Sequence, residues 1–224
     1  MAAQENYRQR LDAAAQALGL DMNPGQRDAL LDYLDQLQRW NRTYNLTALR
    51  DPEQMLIQHV FDSLAVLPPL IDILYKNTVE SPVIVDVGSG AGLPGAVMAI
   101  MQPDWSVYCV DAVEKKMAFV RQVSGVLRLA NLQAVHQRVE TLAPYEADVV
   151  VSRAFASLLD FASLAGPHVA RTGRLLAMKG REPTEEIDAL QQQTDWRVSH
   201  VQPLSVPELN AQRCLVWMTH QGAL

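Results

Sequence analysis

Two patterns of apolar and polar positions divide this chain near residue 80. In the first part, apolar residues recur at helical spacing, as in the stripe formed by Leu30, Leu34 and Leu37. Asn23-Pro24 and Asp51-Pro52 each offer an N-cap side chain followed by proline at the first helical position, which is typical of a helix start. The pattern therefore predicts a helical extension over residues 1–80 and a second domain over residues 81–224.

Short β-branched runs alternate with helical patterns from Val83 onward. The predicted helices include Glu114–Leu127 and Leu158–Ala170, and the predicted strands are Val83–Val87, Ser106–Asp111, Gln133–Gln137, Ala147–Ser152, Gly173–Met178, Trp196–Leu204 and Cys214–His220. Such alternation predicts an α/β fold, in which a mostly parallel, Rossmann-like sheet of these seven strands carries helices on both faces. Because no helix is predicted between the last two strands, we expect a hairpin with the final strand antiparallel.

A glycine-rich segment from Asp86 to Gly95 follows the first predicted strand. Gly88, Gly90 and Gly92 alternate across the turn, and glycine lets the backbone approach a ligand because it has no Cβ. A strand, a glycine turn and a helix start together hold nucleoside cofactors at the carboxyl edge of α/β sheets. We therefore expect Asp86, Gly88 and Gly90 to bind a cofactor.

The same segment fits two cofactor classes. Gly90 to Gly95 matches the dinucleotide fingerprint G-x-G-x-x-G, which leaves an NAD-dependent oxidoreductase as an alternative. Asp86 opposes that alternative because a carboxylate repels a pyrophosphate but attracts the α-amino group of a methionyl moiety. Pro94 opposes it too, since it has no N–H to offer a phosphate at the helix start. Both residues favour S-adenosylmethionine, and the simplest alternative is a glycine turn with a solvated aspartate.

Asp111 ends the second predicted strand. It lies roughly 20 residues beyond the glycine turn, where a ribose-binding carboxylate belongs in such folds. A carboxylate at that place can accept hydrogen bonds from both ribose hydroxyls. Because both cofactor classes contain a ribose, Asp111 supports a nucleoside without choosing between them.

Charge is unevenly distributed along the chain, whose formal net charge is −6. The segment from Ala112 to Arg138 contains a single acidic residue, Glu114. Its basic residues are Lys115, Lys116, Arg121, Arg128 and Arg138. A basic surface on an acidic protein favours a specific, structured RNA over non-specific duplex binding. The alternative is a solvated helix face.

The sequence also bears on the cellular compartment. It has no run of 18 apolar residues and no apolar stretch behind the basic N-terminal residues, so we expect neither a membrane partner nor a secretory signal. Cys109 and Cys214 fall in predicted strands, where buried, reduced thiols are expected in a cytoplasmic protein. No Cys or His cluster has metal-ligand spacing, so no metal site is predicted.

Motifs spread from about Leu30 to the C-terminus resemble one family in order and spacing. They are Trp40-Asn41, Asn45-Leu46-Thr47, His59, Asp62-Ser63-Leu64, the glycine turn with Leu93-Pro94-Gly95, Ser152-Arg153-Ala154 and Met178-Lys179-Gly180. The chain thus resembles the ribosomal RNA small-subunit methyltransferase G family, also called glucose-inhibited division protein B. That family belongs to the class I S-adenosylmethionine-dependent methyltransferases.

The resemblance implies methylation of N7 of one guanosine in 16S ribosomal RNA by a cytoplasmic monomer. The substrate would be the RNA, the small ribosomal subunit or its assembly intermediate. Implied cofactor contacts fall at Gly88, Leu93, Val139, Glu140 and Arg153. Implied RNA contacts fall at Arg138, Lys179 and Arg213, beside Lys115 and Lys116 of the basic segment. A non-catalytic module that binds RNA or a nucleotide remains an alternative.

Guanine N7 carries a lone pair and no proton, so its methylation needs alignment rather than a general base. No catalytic residue is therefore assigned. Arg153 is expected either to donate to substrate or cofactor in the cleft, or to pair with Glu140. His59 and Asp62, on one helix face, are expected to tie the extension to the sheet, or to serve only as buried hydrogen-bonding groups. Phe155 either stacks on a flipped guanine or belongs to the core.

Overall fold

The sheet of this protein contains seven strands in the spatial order β3-β2-β1-β4-β5-β7-β6. The computed structural model describes residues 2–153 and 155–222, with side chains described from residue 5. Met1, Ala154 and residues 223–224, which belong to segments discussed above, lie outside the described residues. The strands are β1 Val83–Val87, β2 Ser106–Asp111, β3 Leu132–His136, β4 Ala147–Ser152, β5 Val169–Lys179, β6 Trp196–Leu204 and β7 Arg213–His220.

The pairs formed among strands β1 to β5 are all parallel. Strand β7 runs antiparallel to both β5 and β6. The predicted α/β sheet with an antiparallel last strand is confirmed. The strand order reverses between β1 and β4, and in such sheets ligands bind in the crevice beyond the carboxyl ends of the two strands at this reversal. The topology therefore places the end of β1 and the end of β4 at the candidate site.

The predicted bounds of β1, β2, β4 and β6 agree with the structure. The largest difference lies before β5, where the predicted helix Leu158–Ala170 ends at Ala165. A 3-10 turn, Gly166–His168, follows, and β5 then begins at Val169. Pro167 explains the early helix end, because it has no N–H for a helical hydrogen bond.

Helices cover both the extension and the connections between strands. Those of the extension are α1 Ala2–Leu18, α2 Pro24–Tyr44, α3 Pro52–Met55, α4 Asp62–Leu64 and α5 Leu67–Lys76, with a π-helical segment Leu56–Phe61 before α4. Those between the strands are α6 Gly95–Met101, α7 Glu114–Val126, α8 Leu158–Ala165 and α9 Thr184–Gln193. The predicted caps of α2 and α3 are present, since the side chains of Asn23 and Asp51 accept backbone N–H groups of the helices that follow them.

The stretch Pro52–Lys76 forms an almost continuous helical rod of 25 residues. By length and composition alone it is apolar enough to cross a membrane, yet 61% of its apolar window is buried inside the protein. Phe61, Leu64 and Leu70 are completely buried there. Packing against the rest of the protein therefore accounts for the apolar composition of this rod.

Two buried apolar clusters lie on opposite faces of the sheet, because successive strand residues point to opposite sides. On one face, Ile84 of β1 belongs to the same cluster as Tyr33 and Leu37 of the extension. On the other face, Val85 belongs to the cluster of Phe161 on α8. The extension thus shares its core with the sheet, while the domain boundary near residue 80 stays a prediction.

Helix α6 packs closely against the sheet at its first residue, Gly95. An added Cβ at Gly95 would lie 2.6 Å from Cys109 Sγ and 3.0 Å from Asp86 Oδ2. Both neighbours are buried strand residues, so neither side chain has room to move away. We expect Gly95→Ala to lower the free energy of unfolding by about 1–3 kcal/mol, as overpacking does in well-packed cores, when measured by urea denaturation.

Gly125 of α7 provides the matched control. No described atom lies within 4 Å of the position that its Cβ would take. Because alanine is the better helix former, Gly125→Ala should leave stability unchanged or raise it by up to about 1 kcal/mol. Equal urea midpoints for the two variants would contradict the close packing inferred at Gly95.

Candidate cofactor and substrate site

The glycine turn after β1 forms a cradle at the carboxyl edge of the sheet. Gly88, Gly90 and Gly92 have φ values of 68°, 60° and 81°, in the left-handed region that favours glycine. No described atom lies within 4 Å of the position that a Cβ would take on Gly88 or Gly90, whereas at Gly92 that position lies 3.0 Å from Val120 Cγ2 on α7. Gly88 and Gly90 therefore border open space that side chains would fill, while Gly92 lets the turn pack on α7.

Asp86 lies beneath this turn. Its side chain is completely buried, and its Oδ2 accepts a hydrogen bond from the Gly95 N–H at 2.8 Å. Burial raises the pKa of Asp86 to about 7, although that hydrogen bond and Arg153 act in the opposite direction. The alternative of a solvated aspartate is thus corrected, because the Asp86 side chain is completely buried, while its contact with a cofactor stays a prediction.

Asp111 ends β2 beside the same turn, as predicted. Its Oδ2 accepts the Gly90 N–H at 3.0 Å, and its Oδ1 accepts the Val113 N–H at 2.8 Å. Lys116 Nζ lies 3.5 Å from Asp111 Oδ2. Lys116 therefore lies at the edge expected for the ribose, while its contact with RNA stays a prediction.

The turn after β3 contributes backbone rather than side-chain groups. Val139 and Glu140 open a 3-10 turn, and the first N–H groups of a helical turn have no acceptor within it. The Val139 side chain is buried, and its carbonyl oxygen lies 2.9 Å from His168 Nε2. The Glu140 side chain is exposed, with its Oε1 3.5 Å from Arg138 Nη1. Leu93 is likewise buried in the core, so its side chain serves packing.

Arg153 follows β4 and contacts the helical extension instead of Glu140. Its Nη1 lies 3.2 Å from the Gln58 carbonyl oxygen and 3.6 Å from Asp62 Oδ2. The alternative of a pair with Glu140 is therefore corrected. Arg213, at the start of β7, donates from Nε to Asp62 Oδ1 at 2.9 Å. One buried carboxylate of the extension thus connects two arginines of the sheet.

His59 lies next to this ion cluster. Its Nε2 is 2.8 Å from Thr47 Oγ1, and its Nδ1 is 3.4 Å from Arg153 Nη1. Burial, together with the positive charge of Arg153, lowers the pKa of His59 to about 4. His59 is therefore neutral at neutral pH and acts as a hydrogen-bonding group. Its contacts with both parts of the chain agree with the expected tie between extension and sheet.

The remaining cations predicted to face RNA differ in their surroundings. Lys115 and Arg138 are exposed on the carboxyl side of the sheet. Lys179 has only 15% of its side chain exposed and pairs with Glu186, with Nζ 2.8 Å from Oε2. Both Lys179 and Arg213 are therefore held by carboxylates rather than extended into solvent, which sequence reasoning did not foresee.

A cavity of about 330 Å³ lies between the extension and the ends of β4 and β5. Its polar lining comes from Gln58, His59, Asp62, Arg153, Lys179 and Arg213. A larger cavity of about 600 Å³, lined in part by Asp148, Gly173 and His220, lies near the amino ends of β4 and β5. The smaller cavity lies at the carboxyl ends of β4 and β5, on the side of the sheet where the switch point opens, so we take it as the substrate side of the site.

The sequence predicted that both thiols are buried and reduced, and it predicted no metal site. Cys109 and Cys214 are buried free cysteines, as predicted, and burial raises the pKa of both thiols. Across residues 2–153 and 155–222, no group of three or more His, Cys, Asp or Glu side chains is gathered as in a metal site.

Sequence reasoning missed the pairing of Asp62 with two arginines. A signal was present, because Asp62 is a carboxylate inside an apolar helical run, and buried carboxylates are almost always paired. Its partners could not be read from the sequence, since Arg153 and Arg213 lie far along the chain.

Solved structures share the fold of this chain. A S-adenosylmethionine-dependent methyltransferase from Aquifex aeolicus aligns with a TM-score of 0.55 at 17% identity, over 78% of this chain and 96% of its own. A ribosomal protein L11 methylase from Lactobacillus delbrueckii subsp. bulgaricus aligns with a TM-score of 0.52 at 12% identity, over 71% and 76%. At these identities the likeness concerns the fold alone, and it agrees with the predicted Rossmann-like methyltransferase sheet.

Sequence comparison identifies the family. The family described as rRNA small subunit methyltransferase G matches residues 26–216. A protein named ribosomal RNA small subunit methyltransferase G from Bordetella petrii is 61% identical over 96% of this chain and 84% of its own length. The protein of the same name from Leptothrix cholodnii is 52% identical over 94% of each chain. The resemblance seen in the motifs is thus confirmed, and the chain belongs to the rRNA small subunit methyltransferase G family.

Proposed function

We propose that this chain transfers a methyl group from S-adenosylmethionine to N7 of a guanosine in 16S ribosomal RNA. The observation that carries the proposal is the family match, which spans residues 26–216 and therefore both the extension and the sheet. The proposed partner is the RNA, the small ribosomal subunit or its assembly intermediate. We propose that the chain acts on it as a monomer in the cytoplasm and has no membrane partner. An NAD-dependent oxidoreductase has no comparable support from sequence relatives.

The residues at the carboxyl edge fit this cofactor. Gly88 and Gly90 leave room for a ligand against the backbone, and Asp111 offers carboxylate oxygens where ribose hydroxyls are expected. The turn at Val139 and Glu140 offers N–H groups for an adenine edge. S-adenosylmethionine, when bound, supplies a methyl group on a positively charged sulfur.

The protein's part in the reaction is to align the acceptor with the methyl donor and to exclude water. N7 of guanine attacks through its lone pair, so no proton has to be removed before transfer. His59 is a poor proton acceptor at neutral pH, because its pKa is lowered to about 4, and its Nε2 lies 2.8 Å from Thr47 Oγ1. Phe155, which packs 5.1 Å from Phe161 between ring centroids, is half-buried and keeps both of its expected roles, core packing and base stacking.

Binding and transfer experiments test the proposal. By titration calorimetry, S-adenosylmethionine or its demethylated product should bind and NAD should not. Radiolabelled methyl groups should then pass to 30S subunits from a strain that lacks this activity, and mass spectrometry should find 7-methylguanosine in their 16S RNA. NAD binding alone would favour an oxidoreductase, whereas cofactor binding without transfer would favour a non-catalytic module.

Substitutions of two neighbouring lysines should distinguish the surface that binds RNA from the edge that binds the cofactor. Lys115 is exposed, whereas Lys116 pairs with Asp111. Lys115→Glu should weaken binding to 30S subunits, reduce the salt dependence of that binding by about one phosphate contact and spare cofactor affinity. Lys116→Glu should instead weaken cofactor binding, because two carboxylates would then lie together at the edge expected for the ribose.

Lys76→Glu, at an exposed lysine that ends α5, makes the same change of charge and should affect neither affinity. Equal losses of both affinities in the Lys115 and Lys116 variants would show that the two lysines do not divide the roles in this way.

Tyr33 connects the extension to the cofactor cradle. Its completely buried hydroxyl donates to the Ala91 carbonyl oxygen at 2.9 Å, inside the glycine turn. Tyr33→Phe leaves this buried carbonyl without its donor, which costs about 1–3 kcal/mol. Because the carbonyl belongs to the cradle, we expect the Kd for S-adenosylmethionine to rise by roughly 5- to 30-fold, with folding checked by circular dichroism.

Tyr75→Phe removes a hydroxyl from a tyrosine that is 83% exposed and should leave the Kd unchanged. A folded Tyr33→Phe variant with the wild-type Kd would show that the cradle keeps its shape without the Tyr33 hydroxyl.

A further inference from the structure

We propose that Asp62 is a positioning residue, which holds Arg153 and Arg213 so that their guanidinium groups together receive one phosphodiester of the RNA strand. This inference rests on the proposed function and names the part of the RNA that enters the 330 Å³ cavity. It concerns how the substrate is held, and it assigns no chemical step to Asp62.

The first support is the geometry around the carboxylate. Asp62 Oδ1 lies 2.9 Å from Arg213 Nε, and Asp62 Oδ2 lies 3.6 Å from Arg153 Nη1. Only 3% of the Asp62 side chain is exposed, against 26% for Arg153 and 25% for Arg213. The carboxylate is thus buried, while about a quarter of each arginine side chain stays exposed.

The second support is that the three residues come from separate parts of the chain. Asp62 starts α4 of the extension, Arg153 follows β4, and Arg213 starts β7. Arginine side chains from separate segments of the chain would each lose rotamer freedom on binding an anion. A shared carboxylate restricts both beforehand, so less entropy is lost when the RNA binds.

The third support is the charge of the cavity lining. Arg153, Arg213 and Lys179 are cations, while Asp62 and Glu186 each neutralise one of them. His59 adds no charge at neutral pH, because its pKa is lowered to about 4. The lining together with Glu186, which pairs with Lys179 from outside the cavity, therefore keeps one positive charge, which matches the single negative charge of a phosphodiester. A guanidinium has five N–H donors, so contact with Asp62 leaves others for phosphate oxygens.

The fourth support is position. The arginine that follows β4 lies close enough to the glycine turn that its charge lowers the pKa of Asp86, which lies beneath the turn. A phosphodiester held by Arg153 would thus lie on the carboxyl side of the sheet, as does the glycine turn, and the nucleotide attached to it could reach the reaction cleft. A site for the backbone of the strand complements the exposed cations Lys115 and Arg138, which lie farther out.

Two physical effects of Asp62→Asn have opposite signs, which makes the variant informative. If the cavity acted through net charge alone, loss of one negative charge would strengthen the attraction for phosphate. If Asp62 acts by orienting the arginines, the same substitution would free them and weaken RNA binding. We expect the KM for 30S subunits to rise at least 10-fold, with a smaller change in kcat and an unchanged Kd for S-adenosylmethionine.

Asp35→Asn is the matched control. Asp35 is half-exposed on α2 and pairs with Arg39, so this variant makes the same change of net charge away from the cavity. Its KM should equal that of the wild type. An unchanged or lower KM for Asp62→Asn, with the cofactor Kd intact, would overturn the inference.

Arg213→Ala on its own covers the case in which Asp62→Asn folds poorly, and a double-variant cycle tests the coupling between the two residues where both variants fold. Arg213→Ala leaves the contact of Asp62 with Arg153 and should raise the KM for 30S subunits by a similar factor. If Asp62 acts through the arginines, adding Asp62→Asn to Arg213→Ala should raise the KM by less than it does in the wild type. Fully additive effects, or a parallel loss of cofactor affinity and thermal stability, would assign Asp62 to the fold instead.

The outcomes also separate this inference from the proposed function. A wild-type chain that transfers no methyl group to 30S subunits overturns the proposed function. Equilibrium binding of 30S subunits by the wild type and by Asp62→Asn, measured without cofactor, still tests the cavity in that case. Equal binding by the two chains would overturn the role of Asp62.

Discussion

The Gly95 N–H donates to Asp86 Oδ2 beneath the glycine turn, and this hydrogen bond fixes where α6 begins relative to β1. It requires glycine at residue 95, since a Cβ would meet Cys109 and Asp86 itself. With both ends of the turn held, Gly88 and Gly90 can present bare backbone to a ligand. The shape of the cofactor site thus depends on a contact made in the core, on the side of the turn that faces away from the ligand.

The helical extension is part of the site as much as of the fold. Tyr33 reaches the turn from α2, and Asp62 reaches the ends of β4 and β7 from α4. The Tyr33 contact is buried and the Asp62 contacts are partly buried, and both connect groups far apart in sequence. The extension and the sheet also share one apolar cluster, so loosening of the extension would disturb the cofactor cradle and the substrate cavity together.

Much of the fold could be predicted from sequence because strand and helix periodicity are local signals. The bounds of β1 and β2 were predicted correctly. The largest error, in the end of the helix that begins at Leu158, came from overlooking Pro167. The carboxyl-edge position of Asp111 was predictable as well, since parallel strands end at one edge. The ion pairs of Asp62, Lys116 and Lys179 were not, because tertiary packing selects partners that no local pattern reveals. The electrostatic case against a pyrophosphate was also overstated, since a carboxyl that gains a proton near neutrality repels an anion less than a free carboxylate does.

That buried carboxyl has a thermodynamic consequence. Because burial raises the pKa of Asp86 to about 7, this carboxyl gains or loses its proton near neutral pH. A cationic ligand bound over the turn favours the ionised form, so binding expels a fraction of a proton into solution. By linkage, affinity for such a ligand declines as the medium acidifies below neutrality and levels off above it. Occupancy of the cradle would therefore report on the acidity around the protein as well as on the supply of cofactor.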